Sequence, residues 1–236
     1  MTFETAIVTG AGQGFGLALT AALGSRGTTV VACARDGARL RAATAALPGV
    51  VAVPGDVTDP AFRTELVATA RRLGGLDLLV HNAGELGPSP LPMLERYPLD
   101  ALRAVLETTV LAPLALTQLA LPLLRASATG TVVTLSSDAA VEAYPGWGGY
   151  GAAKAALDQL AAVLAVEEPN LRVHAFDPGD MRTAMHQRAF PGEDISDRPE
   201  PDTVVPALLH LLDERPPSGR HRAADLLGDL AAGSAL

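Results

Sequence analysis

The stretch Thr9-Gly10-Ala11-Gly12-Gln13-Gly14-Phe15-Gly16 limits the folds open to this chain more than any other. It follows Thr5-Ala6-Ile7-Val8, an apolar run that reads as a strand, and precedes Leu17 to Leu23, which reads as a helix. A strand, a glycine-rich turn and a helix form a site for a phosphate. Glycine tolerates positive φ and lets backbone N–H groups approach a ligand closely. The positive end of the helix dipole then favours the anion. Taken alone, the same pattern also suits an ordinary tight connection between a strand and a helix.

The rest of the chain repeats the alternation. Further strands are expected at Thr28–Ala34, Val50–Val53, Leu76–Val80, Gly130–Leu135 and Leu171–Phe176. A short seventh is expected near Arg220–Ala223. Helices are expected at Asp36–Leu47 with Asp36 as cap, at Phe62–Leu73 after Asp59 and Pro60, at Tyr150–Glu167 and at Val204–Leu212. A long helix over Leu99–Leu124 is expected to be interrupted at Pro113 and Pro122. Strands that are apolar throughout suit a parallel sheet covered on both faces. The pattern predicts a single doubly wound α/β domain over residues 1–236, a Rossmann fold of six to seven strands with helices on both faces. In such sheets the ligand lies beyond the carboxyl ends of the strands. The glycine turn, Asp56, Asn82, Ser137 and Pro178 all fall there.

Composition narrows the function. A net charge of −8 argues against nucleic acid and anionic membranes as partners. Cys33 is the only cysteine, so no disulfide forms within the chain. No leader-like segment is seen at the N-terminus, and no unbroken apolar run approaches the length of a membrane span. A cytoplasmic protein is the expectation.

Tyr150-Gly151-Ala152-Ala153-Lys154 forms a second constellation. A tyrosine and a lysine at this spacing share one helix face, a turn apart. The ammonium favours the phenolate and lowers the tyrosine pKa, so the phenol can act as acid or base near neutrality. Ser137 ends the preceding strand, where a hydroxyl can hold a substrate oxygen. Read separately, each is also an ordinary helix-start pair or turn serine.

In this order, the motifs resemble the short-chain dehydrogenase/reductase family. The matching pieces are Thr9-Gly10-x-x-x-Gly14-x-Gly16, Asp56-Val57, Asn82-Ala83-Gly84, Ser137, Tyr150-x-x-x-Lys154 and Pro178-Gly179-x-x-x-Thr183. The resemblance implies an NAD(P)(H)-dependent oxidoreductase acting on a small carbonyl compound or secondary alcohol. It implies that Tyr150 is the general acid in reduction, that Lys154 holds the nicotinamide ribose, and that Ser137 polarises the substrate oxygen. Gly10, Gly12, Gln13, Gly14, Phe15 and Gly16 would receive the pyrophosphate, and Asp56 and Val57 would border the adenine. Asn82, Ala83 and Gly84 would flank the riboses. Pro178, Gly179, Met181 and Thr183 would border the nicotinamide, ahead of a substrate loop near 183–201 that brings Met185, His186 and Phe190 to the pocket. It also implies a homodimer or homotetramer, joined in part through the helix that starts at Tyr150. A cofactor-binding sensor with little turnover is the competing reading.

Two departures stand out. His81 replaces a common asparagine and is expected to be a bystander. Thr109 stands where the family carries its active-site asparagine, whose main-chain carbonyl holds a water in contact with the lysine. In an α-helix that carbonyl would accept from residue 113, and Pro113 has no N–H to give. Thr109 and Pro113 together are therefore expected to keep the carbonyl free. The cofactor choice turns on the end of the second strand. An acidic residue there would bind the ribose of NAD. Here Ala34 is neutral and Arg35 can pair with a 2′-phosphate, so NADP(H) is expected over NAD(H).

Overall fold

The structure is a computed structural model and describes residues 3–233. Seven strands form one parallel sheet in the order β3-β2-β1-β4-β5-β6-β7. They are β1 (Thr5–Thr9), β2 (Thr29–Ala34), β3 (Val50–Pro54), β4 (Leu78–His81), β5 (Thr131–Leu135), β6 (Arg172–Asp177) and β7 (Gly219–Arg222). The order reverses between β1 and β4, and the connections that leave their carboxyl ends run to opposite faces of the sheet, which opens a crevice there.

Two apolar layers hold helices to the sheet, as expected for strands apolar on both faces. On one side, α1 (Gly14–Ser25) and α8 (Pro201–Glu214) cover Ala6, Val8, Val30 and Leu78 with Leu19, Leu23, Leu208 and Leu211. On the other, α3 (Pro60–Arg72) and α5 (Ala112–Ala126) cover Ile7, Val31, Leu79 and Val132 with Leu66, Leu116 and Leu124. Burying one such side chain contributes about 1.5–3 kcal/mol. Helix starts follow the caps legible in the sequence. Asp36 accepts from Arg39 N to open α2 (Gly37–Thr44), and Asp59 accepts from Ala61 N with Pro60 in the first turn of α3.

The segment expected as one broken helix behaves differently. Pro122 lies inside α5 and does not end it. The interruption is instead a π-helical turn, Glu107–Leu111, between α4 (Leu99–Leu106) and α5, closed by Ala112 N–H donating to Glu107 O. Pro113 follows at once, in the first turn of α5, where a missing N–H costs least.

The continuous helical stretch Leu99–Ala126 is also long and apolar enough to cross a membrane, with a mean hydropathy of 1.5. The stretch is no unbroken apolar run, since charged, Thr and Gln residues interrupt it and only the window average passes. Val105, Ala112, Leu116, Ala120 and Leu124 are buried, and the last four pack into the core.

Two further helices were not expected: α7 (Ala184–Ala189), inside the stretch without a clear period, and α9 (Ala223–Gly233), directly after β7. α6 (Gly148–Glu167) completes the set and carries Tyr150 and Lys154.

Candidate active site

The glycine turn is built by close packing. Gly10 has φ 67° and Gly14 φ 57°, backbone that L side chains rarely adopt. A Cβ on Gly10 would lie 2.8 Å from Asn82 Nδ2 and 2.9 Å from Ala83 Cα, so any side chain would push β1 and β4 apart. Asn82 holds the turn: its Nδ2 donates to Thr9 O at 2.8 Å and to Gly10 O at 3.1 Å. Thr9 Oγ1 accepts from the backbone N–H groups of both Asn82 and Ala83 at 3.0 Å. At the head of α1, Gln13 makes no side-chain cap, so the first N–H groups have no side-chain partner and suit an anion.

A cleft of about 1010 Å³ runs from this turn along the strand ends. Its wall includes Gly10, Gly12, Gln13, Gly14, Phe15, Arg35, Asp56, Val57, Asn82, Ala83, Gly84, Tyr150, Lys154, Pro178, Met181 and Thr183. Gly179, also expected at the cofactor, does not border this cleft and lies at a smaller pocket instead. Gly16 borders neither, and a Cβ there would collide with Asn82 Nδ2 and Gly10 O. Its part is to let α1 close on β1. Phe15 faces both ways, since its ring also stacks on Phe176 with centroids 5.9 Å apart.

At the cleft's end the chemistry-bearing side chains meet. Lys154 is buried, and its Nζ donates to Leu135 O at 2.5 Å and lies 5.5 Å from the Tyr150 ring centroid. Burial pushes its pKa down to about 8, against the pull of Asp158 and Asp177. The Tyr150 phenol is held above its ordinary value, first by burial, with the neighbouring Ser137 hydroxyl acting the other way and the charges of Asp138 and Asp177 adding to the rise. The sequence had suggested that Lys154 depresses this pKa. In the structure the shift runs the other way, set first by burial and not by Lys154. Ser137 Oγ donates to Asp138 Oδ1 at 2.9 Å and accepts from Ala139 N at 3.2 Å. Gly179, Ser137 and Asp138 border a smaller pocket of about 110 Å³, together with Leu86, Trp147, Tyr150, Met185 and His186.

Thr109 is fully buried and does not border the cleft, whereas its neighbour Thr108 does. Its Oγ1 accepts from Glu85 N at 3.3 Å. A Cβ on Gly84 would lie 3.9 Å from Thr109 Oγ1 and 3.8 Å from Lys154 Nζ, so the two side chains flank Gly84. Thr183 Oγ1 caps α7 by accepting from His186 N at 3.1 Å. Trp147 packs edge-on to Tyr150 at 5.7 Å and against Phe190 at 5.9 Å, so it belongs to the pocket. Tyr144 lies outside, its hydroxyl on Glu142 and Asp138. His81 is buried beside Thr117 Oγ1 at 2.8 Å, and burial drops its pKa to about 3, so it stays neutral and takes no proton.

A family model described as short chain dehydrogenase matches residues 4–194. The chain is a short-chain dehydrogenase/reductase. It is 35% identical over 209 residues to an L-fucose dehydrogenase of Bos taurus, covering 86% of this chain and 73% of that protein. It is 33% identical to an L-xylulose reductase of Bos taurus, covering 89% of each. A Shigella flexneri short chain dehydrogenase solved with NADP superposes with a TM-score of 0.86 at 30% identity, over 95% of this chain and 98% of that one. The family's NAD(P)-dependent oxidoreduction is thus the activity class of this chain.

Three features escaped the sequence reading. Lys154 is the only lysine in the chain, and every other cation among the 18 Lys and Arg residues is an arginine. A count would have found it. Arg39 borders the cleft from the first turn of α2, with Nη1 2.5 Å from Gln13 Oε1, a position set by the Asp36 cap. Arg220 reaches the site from β7, and nothing local in the sequence marks it.

Proposed function

We propose that the protein transfers a hydride between a nicotinamide dinucleotide, with NADP(H) preferred, and a small carbonyl compound or the matching secondary alcohol. One observation carries this reading: Tyr150 borders both the long cleft and the small pocket. A phenol at that junction stands where a dinucleotide's reactive end and a small substrate would meet. The residues fit the cofactor, since the cleft begins at an uncapped helix N-terminus behind a turn that admits no Cβ.

When bound, the nicotinamide supplies the hydride, and the protein's task is positioning and proton transfer. Tyr150 donates its proton to the carbonyl oxygen as the alkoxide forms, and takes it back in oxidation. Ser137 orients that oxygen, and releases its bond to Asp138 to do so. Lys154 stabilises the phenolate left behind and binds a ribose. The Thr109 carbonyl, which Pro113 has no N–H to occupy, would hold a water within reach of Lys154 and so resupply the proton. These intact groups favour turnover over a sensor role.

Arg35 and Arg39 border the cleft beyond β2, where a 2′-phosphate would lie. Arg35 is mostly exposed and reaches Glu85 at 3.3 Å, a weak ion pair that a phosphate can replace. The segment 183–201, with α7, forms the substrate loop. A pocket of about 110 Å³ with Asp138, Asp180 and His186 among apolar walls suits a small hydroxylated carbonyl compound, in keeping with the sugar names of the two bovine relatives. The exposed Leu111, Leu114, Val163 and Val166 on α5, the turn before it and α6 provide the face for a second copy of the chain. Sedimentation should therefore give a dimer or tetramer, and a monomer would overturn that assignment. The activity itself is tested by following NADPH oxidation with a panel of aldehydes, ketones and sugars. Turnover of at least one supports the reading, and none across the panel refutes it.

A further inference from the structure

Arg220 lies beyond the segment matched to the family model, on β7 opposite Ala175 of β6. Its guanidinium gathers three elements at the floor of the site. Nη2 donates to Asp177 Oδ2 at 2.8 Å, at the end of β6, and to the Ser137 carbonyl at 3.0 Å, just past β5. Nε donates to Asp158 Oδ2 at 3.2 Å, on α6. Asp158 is one helical turn after Lys154 and also accepts from Ser136 Oγ at 2.6 Å. Asp177 Oδ1 accepts from Gly179 N at 3.0 Å. Both carboxylates are largely buried, with side-chain exposures of 15% for Asp158 and 5% for Asp177, and Arg220 is exposed by 26%.

We infer that Arg220 is a positioning residue for catalysis: it fixes the Ser137 backbone and offsets the two carboxylates that act on Lys154. The planar fork of arginine suits this, because it bonds several oxygens in fixed directions. The groups with charge or protons around Lys154 are Tyr150 and Asp158 on its own helix and Asp177 at the end of β6. Asp158 and Asp177 favour the ammonium, and Arg220 is the cation that faces both of them. Without Arg220 their negative charge would act on Lys154 unopposed. The lysine would then hold its proton to higher pH and respond less readily as the phenolate forms. The catalytic part of this inference rests on the function proposed above, but the charge coupling does not.

The single lysine makes the coupling directly observable. In protein labelled with ¹³C-lysine, one side-chain Cε resonance reports Lys154, and no substrate is needed. The wild type should titrate near pH 8. Arg220→Met should raise that midpoint by about one unit or more, the usual effect of changing a near charge. Arg220→Lys, which keeps the charge, should stay near the wild type. Asp158→Asn should move the midpoint down. Loosening of the site alone would carry all three variants upward, toward the solvent value. An unmoved midpoint in Arg220→Met, or an upward shift in Asp158→Asn, would overturn the inference. If Arg220→Met does not fold, Arg220→Gln removes the same charge with a polar side chain, and an unmoved midpoint there overturns the inference equally. Turnover should fall in Arg220→Met, and unimpaired turnover there with the midpoint shifted would count against the catalytic reading only.

Discussion

Pro113 stands one helical turn after Thr109 and has no N–H for the Thr109 carbonyl to accept, and the chain between them widens into a π-helical turn. The carbonyl of an α-helical residue is ordinarily occupied by the N–H of the next turn. Here the sequence removes that donor at the position that flanks Lys154 across Gly84. Pro113→Ala restores the donor. It should slow turnover several-fold while cofactor binding, followed by NADPH fluorescence, changes little. An equal loss in both would show that Pro113 only shapes the helix. A crystal structure should place a water between the Thr109 carbonyl and Lys154.

The cofactor preference is expected to reside in two cations. kcat/KM should be higher for NADPH than for NADH, because Arg35 and Arg39 border the cleft and no acidic residue ends β2. Asp36 is the nearest carboxylate, and it is engaged as the α2 cap with Arg39 N at 3.0 Å. Replacing both arginines with alanine should lower the preference by about tenfold or more, as charge-assisted bonds to phosphate are worth roughly 1.5–3 kcal/mol each. A wild type that prefers NADH would contradict the assignment.

Lys154 should cost stability at neutral pH. Its folded pKa, about 8, is below that of an unfolded lysine, about 10.4. Below pH 8 both states are protonated and the full cost of burying the ammonium is present. Between the two values the unfolded state binds more protons, so stability rises with pH, by on the order of 1 kcal/mol per unit. Lys154→Met should therefore melt higher than the wild type at pH 7, with the gap narrowing towards pH 10. Melting curves across that range check it. A gap that widens with pH would contradict the burial argument.

Much of this architecture could be read from the chain. Glycines at positions 10 and 14 announce positive φ, and apolar runs such as Ile7–Val8 and Leu78–Val80 announce strands covered on both faces. Tyr150 and Lys154 were legible because their chemistry and their helical spacing coincide. What was missed depends on tertiary geometry. Helix α7 is a single short segment whose start is fixed by Thr183 as a cap, too brief to show a period. Arg220 is brought to Asp158, Asp177 and Ser137 only by the pairing of β7 with β6. The π-helical turn at Glu107–Leu111 replaces a proline break because Pro113 falls where a helix start tolerates it. The sign of the Tyr150 shift depends on burial, which the spacing to Lys154 does not report.

The central claim is that Tyr150 is the proton donor of a turning-over oxidoreductase. Tyr150→Phe removes one hydroxyl and keeps the ring that packs against Trp147 at 5.7 Å. The most direct measurement is kcat of this variant on a substrate the wild type reduces, with NADPH binding measured in parallel. The account predicts intact binding and a loss of roughly 10²–10⁴-fold in kcat, the range for general acid–base groups. A variant that turns over at near the wild-type rate would contradict it.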